Sequence, residues 1–288
     1  MEIIRMKKSA AFLMLIPAFG FFLLSFVVPM ILVSRLSFYR ADYVTETFAA
    51  FSNYRIALTD PYYIKSFINS FWFVLMITPP MIFSGYKIAS FLSDFPEKVQ
   101  AAGRFIIYVP GLASGLIMAL LWGWFLLREG LVNQFLSYFG VAAIPWLSEP
   151  WTARIAISVI MIVSSVGGQV ILFAASMHSL PKELEDAAKI DGASHGQYKR
   201  HIVFPLMIPT ILLTVLLQIV GTMQMWETIF VLTGEGGPEG STASPVYEIF
   251  LTAFRFGKSG LAAAKGIILM VVIAGILLIK QRIERWSK

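Results

Sequence analysis

Six stretches of this chain, residues 9–34, 66–86, 105–127, 155–181, 202–226 and 259–279, hold between them one charged side chain, Lys265. A backbone buried in hydrocarbon must pair its N–H and C=O groups internally, so about 20 uncharged, mostly apolar residues in a row read as a membrane-crossing helix. Every stretch is long enough. The missing charge is crowded into the connections, where 39 of the 40 Lys, Arg, Asp and Glu lie. The chain therefore alternates between two solvents, and an all-α polytopic membrane protein with six transmembrane helices is expected. A water-soluble enzyme, a disordered chain and a nucleic-acid module are excluded. The net charge of +6 is assigned to loops beside anionic lipid rather than to nucleic acid. With no Cys, disulfides, thiolate metal sites and cysteine nucleophiles are excluded too.

Arg5, Lys7 and Lys8 before the first apolar run imitate a signal peptide. The run exceeds the roughly 7 to 15 residues of a signal core, and no small-residue cleavage site closes it. An uncleaved first span is expected. Six spans place both termini and residues 87–104 and 182–201 on one side with 14 Lys and Arg, against 8 on the other side. That bias assigns the richer side, with both termini, to the cytoplasm. Trp122, Trp124, Trp146, Trp151, Trp226 and Trp286 lie near span ends and suit an interfacial aromatic belt. Pro17, Pro29, Pro79 and Pro80 inside spans are read as kinks relieved by neighbouring helices.

The most informative connection runs from Pro181 to Pro205. Pro181 suits a first helical turn, and Glu183, Glu185 and Asp186 then sit near the positive end of the helix dipole. Gly192 can adopt the left-handed conformation that ends a helix, and Ser194 three residues before Gln197 has the spacing of a capping box. The segment reads as two short helices around a bend, either a plain connector or an elbow shaped to fit another protein.

These residues resemble the EAA loop of permease subunits of prokaryotic ATP-binding-cassette importers. Asp186-Ala187-Ala188, Asp191-Gly192-Ala193, Tyr198, Ile202 and Pro205 fall on its positions, with Asp186 where Glu is usual and Tyr198 where Phe is common. A second stretch, Leu232-Thr233-Gly234-Glu235-Gly236-Gly237-Pro238 followed by Thr242, Tyr247, Ala253-Phe254 and Gly260-Leu261-Ala262-Ala263-Ala264, resembles the first permease subunit of carbohydrate importers of the maltose and glycerol-3-phosphate type. The resemblance implies a type I importer permease (MetI-like) fold in the prokaryotic inner membrane. It divides the chain into residues 1–66, a first helix and periplasmic loop, and a permease core, 67–288, carrying the coupling loop 181–205. It further implies that Glu185, Asp186, Ala187, Ala188, Asp191, Gly192, Ala193, Tyr198 and Pro205 couple the chain to a cytoplasmic ATPase. The implied partners are a second homologous permease in a heterodimer, two ATPase subunits and an extracytoplasmic solute-binding protein. ATP and Mg would be bound by the ATPase, and this chain would bind no cofactor and no metal and act as a transport subunit rather than an enzyme. Gly257-Lys258-Ser259 lacks the earlier Gly of a phosphate-binding loop, where Thr252 stands.

A sugar pathway through lipid needs polar side chains and an aromatic face lining a cavity. Gln169 beside Gly167-Gly168, and Gln218, Gln224, Trp226 and Glu227, are the candidates. For each Gln the alternative is an interhelical hydrogen bond, and for the glycines close helix approach. Lys265 either snorkels to the outer interface or faces the pathway and attracts an acidic substrate. Two rivals remain: a permease for amino acids or peptides with the same elbow, and an ion-driven secondary transporter. The second would want carboxylates in mid-membrane, and none of the six stretches holds Asp or Glu.

Overall fold

The computed structural model describes residues 8–42 and 44–286, with side chains over 15–42 and 44–282. The N-terminal cluster Arg5 and Lys7, and the side chains of Lys8 and Trp286, lie outside the described residues. In chain order the elements are α1 (Lys8–Phe22), a π-helical turn (Leu23–Val27), α2 (Val28–Leu36), β1 (Tyr39–Ala41), β2 (Glu46–Phe48) and α3 (Ser52–Thr59). Then come α4 (Pro61–Leu92), α5 (Glu97–Leu112), α6 (Gly115–Phe125), α7 (Leu131–Ser137), α8 (Pro150–His178), α9 (Glu183–Ile190) and α10 (His195–Tyr198). A second π-turn (Lys199–Val203) leads to α11 (Phe204–Leu206), α12 (Ile208–Gln224), α13 (Glu227–Thr233) and α14 (Pro245–Phe250). A third π-turn (Leu251–Arg255) precedes α15 (Ser259–Trp286).

Four segments, Leu15–Leu36, Pro61–Leu92, Pro150–His178 and Ser259–Arg282, are long and apolar enough to cross a bilayer alone. The other two expected spans are not straight. Stretch 105–127 is divided between α5 and α6, which meet at 87°, and stretch 202–226 begins in a segment that meets α12 at 58°. Six spans result if each bent pair is one. The first break follows from Ala113 and Ser114 taking extended backbone, with the Ser114 hydroxyl accepting from the Ile117 N–H to start a new helix. Such irregular backbone is tolerated at membrane depth only where it is buried in protein or lines a cavity.

The chain forms two compact units, residues 1–60 with 249–288, and residues 61–248. In the first unit α15 packs on α2, α3 and β1. The physical reason is visible within this unit. The Tyr39 carbonyl oxygen lies where a Cβ on Gly260 would stand, so only glycine admits the hairpin edge. The hairpin pairs Tyr39 with Phe48 and Ala41 with Glu46, antiparallel. Lys265 donates to Asp60 Oδ2 at 2.7 Å and to Thr252 Oγ1 at 3.0 Å. At 2% exposure, Lys265 is therefore buried in an ion pair and does not snorkel to an interface.

In the larger unit α8 packs against α4 and α5, and α12 against α4. One cluster joins Ala89, Leu92, Val170, Phe173, Val203 and Met207, and another joins Leu126, Ala156 and Ile160 under Trp122, Trp146 and Leu232. Trp146 is thus anchored in packing, with its indole N–H on Asn133 Oδ1 at 3.1 Å. The glycine-rich turn after α13 is fixed by side chains of α4 and α8. Asn69 donates to the Gly240 and Ala243 carbonyls, and Arg154 binds Asn69 Oδ1 and the Ser241 carbonyl, both at 3.0 Å.

Of the Gly167-Gly168 pair only the first is a contact. A Cβ on Gly167 would lie 2.5 Å from the Ile107 carbonyl oxygen, whereas one on Gly168 meets nothing within 4 Å. Gly167→Ala is therefore expected to destabilise the α5–α8 packing by about 1–3 kcal/mol, and Gly168→Ala to be neutral or mildly stabilising. Thermal unfolding in detergent distinguishes them, and equal melting temperatures for the two variants would contradict the packing described.

Candidate functional site

Two places gather the residues singled out by sequence. The first is the bend after α9. The first turn of α9 carries Glu183, Glu185 and Asp186, with Lys182 at the N-cap and Pro181 one residue before the cap, outside the first turn where sequence placed it. Glu185 and Lys189 form an exposed i,i+4 pair at 2.8 Å, of the kind worth only a few tenths of a kcal/mol. The helix ends on Gly192 at φ +74°. There the Gly192 N–H reaches the Lys189 carbonyl and the Ala193 N–H reaches Ala188, the two bonds of a Schellman motif. Ser194 and Gln197 then form the capping box that starts α10. A side chain at 192 would carry the left-handed strain that glycine avoids.

This elbow is latched to the α4–α5 connection. Lys199 Nζ lies 2.6 Å and His195 Nε2 2.8 Å from Asp94 Oδ1. Lys199 also donates to the Ser90 carbonyl, and Tyr86 donates to Lys199's own carbonyl at 3.4 Å. Burial alone would raise the Asp94 carboxyl, but the hydrogen bonds and charges of Lys199 and His195 outweigh it and hold it below the usual carboxylate range. Tyr198 packs on the Phe173–Val203 cluster, and Ala188 is buried. The opposite face is bare: Asp186, Ala187, Asp191 and Gly192 are exposed, and so is Pro205. Ile190, apolar yet 87% exposed, stands on this face. Glu185 and Ala193 are half-buried between the two faces. A polar cavity of about 720 Å³ lies behind the elbow, lined by Asp94, Arg104, Glu185, His195, Tyr198 and Lys199 among others. Sequence pointed to neither Asp94 nor Ile190. Lys199, a cation with no acid three or four residues away, is the available signal for the former.

The second place lies at the helix breaks. Gln224 ends α12, Met225 is extended, and Trp226 caps α13, which begins with Glu227. This break and the Ala113–Ser114 break both line a cavity of about 330 Å³, floored by Met161, Ser164 and Ser165 of α8. That volume falls within the range of small-ligand sites. Gln224, Trp226 and Glu227 meet there as a group; the Ser164 hydroxyl is buried with no hydrogen-bond partner among the described residues. Glu227 Oε2 sits 2.8 Å from where a Cβ on Gly115 would be, over the start of α6. Gln218 is not among the lining residues. Gln169 instead packs its Cβ 3.0 Å from the Cβ position of Gly85 on α4, with Oε1 buried and unpaired. Lys265 is committed to Asp60. Ser164 and Ser165 were overlooked because two serines in an apolar helix look like ordinary backbone-bonded side chains. Among the described residues no three His, Asp or Glu cluster as metal ligands.

The profile of the family described as "Binding-protein-dependent transport system inner membrane component" matches residues 6–288. The arabinooligosaccharides transport system permease protein AraP of Bacillus subtilis (strain 168) is 27% identical over 287 residues, 96% of this chain and 89% of the relative. The trehalose/maltose transport system permease protein MalF of Thermococcus litoralis is 27% identical over 295 residues, 98% of this chain and 96% of its own. A bacterial alginate transporter, solved with an alginate pentasaccharide-bound periplasmic protein, has the same fold, with TM-score 0.83 at 22% identity over 97% of this chain and 95% of its own.

The lowered Asp94 pKa has a definite sign. The folded carboxyl releases its proton more readily than an unfolded aspartate, so the latch contributes stability above about pH 3.9. That contribution is lost as pH falls through the lower folded value. Wild type is expected to lose more thermal stability than Asp94→Asn between about pH 5 and pH 3, and Asp94→Asn to lose amide-exchange protection across residues 194–203 at neutral pH. Parallel pH profiles with unchanged exchange would contradict the latch.

Proposed function

The chain belongs to the family of binding-protein-dependent transport system inner membrane components, and from that premise we propose that it is one of two permease subunits in an ATP-driven importer of saccharides. The carbohydrate assignment rests on the sugar permeases among its relatives and on the Gly236-Gly237-Pro238 stretch. The chain contributes half of a passage and itself performs no catalysis; ATP and Mg belong to two ATPase subunits on the cytoplasmic side. A homologous second permease completes the passage, and an extracytoplasmic solute-binding protein delivers the sugar. Both termini and the elbow face the cytoplasm, following the Lys/Arg bias.

The observation that carries this reading is the asymmetry of the elbow. Its inner face is fixed to α4 by Lys199, His195 and Tyr198, while its outer face leaves Asp186, Ala187 and the apolar Ile190 uncovered. An exposed apolar side chain on a short ordered helix, rimmed by small and acidic residues, suits insertion into a cleft. Force applied at the outer face would then pass through the latch into the bilayer helices rather than dissipate in a loose loop.

Substrate-stimulated ATP hydrolysis by the reconstituted complex tests the reading. Asp186→Lys, which reverses charge on the uncovered face without touching the latch, is expected to lower stimulated hydrolysis about tenfold or more, or to release the ATPase from the membrane subunits. Unchanged assembly together with unchanged coupling would remove the elbow from the mechanism.

A further inference from the structure

We infer that the saccharide admitted at the helix breaks is uncharged, and that Glu227 sets this preference by repelling carboxylate- or sulfate-bearing sugars. The inference rests on the permease reading and adds the charge class of its cargo. Among the residues lining the cavity between α5–α6, α8 and α12–α13, Glu227 is the only ionisable one. No Lys, Arg or His accompanies it there, and the remaining polar side chains are neutral: the Gln224 amide, the Trp226 indole and the Ser164, Ser165 and Thr228 hydroxyls. Such groups match sugar hydroxyls, and an anion brought among them would meet the Glu227 carboxylate with no Lys, Arg or His among the lining residues to offset the repulsion.

Two features that would favour an anion are already engaged. The start of α6 is the positive end of an eleven-residue helix, but the Glu227 carboxylate lies over it, 2.8 Å from the Cβ position of Gly115. Lys265, the one cation within the apolar stretches, is paired with Asp60 at 2.7 Å. The Ser164 hydroxyl is buried and has no hydrogen-bond partner among the described residues. An unpaired buried hydroxyl beside a cavity is stabilised when a ligand hydroxyl binds it, and a neutral polyol brings such groups without a charge to desolvate.

The test uses the complete complex, trapped in its nucleotide-bound state without the binding protein, so that only the permease selects. Binding of maltotriose and arabinotriose is compared with that of trigalacturonate, of the same length but carrying three carboxylates. In wild type the acidic trisaccharide is expected to bind at least about tenfold more weakly than the better neutral one. In Glu227→Gln the acidic-to-neutral ratio should rise at least about tenfold, and Glu227→Asp should restore the wild-type ratio. The ratio cancels any general loss of fold or affinity. An unchanged ratio in Glu227→Gln, or wild-type binding of trigalacturonate as tight as that of the neutral probes, would overturn the inference. Failure of all three probes to bind, with ATP hydrolysis still responding to Asp186→Lys, would overturn the saccharide assignment itself and leave the coupling elbow standing.

Discussion

In hydrocarbon an unpaired backbone amide costs several kcal/mol, and that constraint organises this chain. It forces α4, α8 and α15 into long helices whose amides bond internally, 32, 29 and 28 residues in length. It also makes the two places where the helix ladder is abandoned conspicuous, since Ala113–Ser114 and Met225–Trp226 free backbone groups that need partners. Both breaks open on one cavity with α8. Polar groups that are costly in hydrocarbon are collected there, and the proposed passage for hydroxyl-rich cargo would give them something to bind.

In the proposed importer the elbow faces a different physical problem, that of carrying a push from outside the membrane to helices within it. A lever must be stiff and must be attached. Stiffness comes from local bonding at both ends of the bend, the Schellman closure at Gly192 and the capping box of Ser194 and Gln197. Attachment comes from Asp94, whose single oxygen receives both Lys199 and His195. The same polypeptide segment continues through the second π-turn and α11 into α12, at whose far end the Met225–Trp226 break lies. The latch and the cavity are thus joined by one continuous segment, bent by 58° before α12.

Features set by neighbours in sequence were legible from the sequence. Charge-free stretches marked the spans, Gly192 marked the bend, and the Ser194–Gln197 spacing marked the second helical start. Gln224, Trp226 and Glu227 also stand together at the cavity, since residues so close in sequence share a helix end. Features set by distant pairing were not legible. Apolar composition made residues 105–127 look like one helix because hydropathy does not register backbone direction; only Ser114 before Gly115 hinted at a restart. Lys265 looked like a pathway or interface cation because Asp60, 205 positions away, gives no local signal. Gln169 matched the pathway by chemistry, yet its Cβ packs against Gly85 and Phe173 lies beside it. Asp94 is one of two acids in a solvated connection, beside Glu97, until the fold brings Lys199 to it.

In the proposed importer the elbow and the core would move as one piece while the cavity changes shape. Distances between spin labels in the complete complex measure this directly, with one pair joining residue 190 to residue 97 and a second joining residue 118 to residue 161 across the cavity. Between nucleotide-free and nucleotide-trapped states the first distance is predicted to stay constant and the second to change. A first distance that shifts while the second stays fixed would mean that the elbow swings on its own, and the account would be wrong.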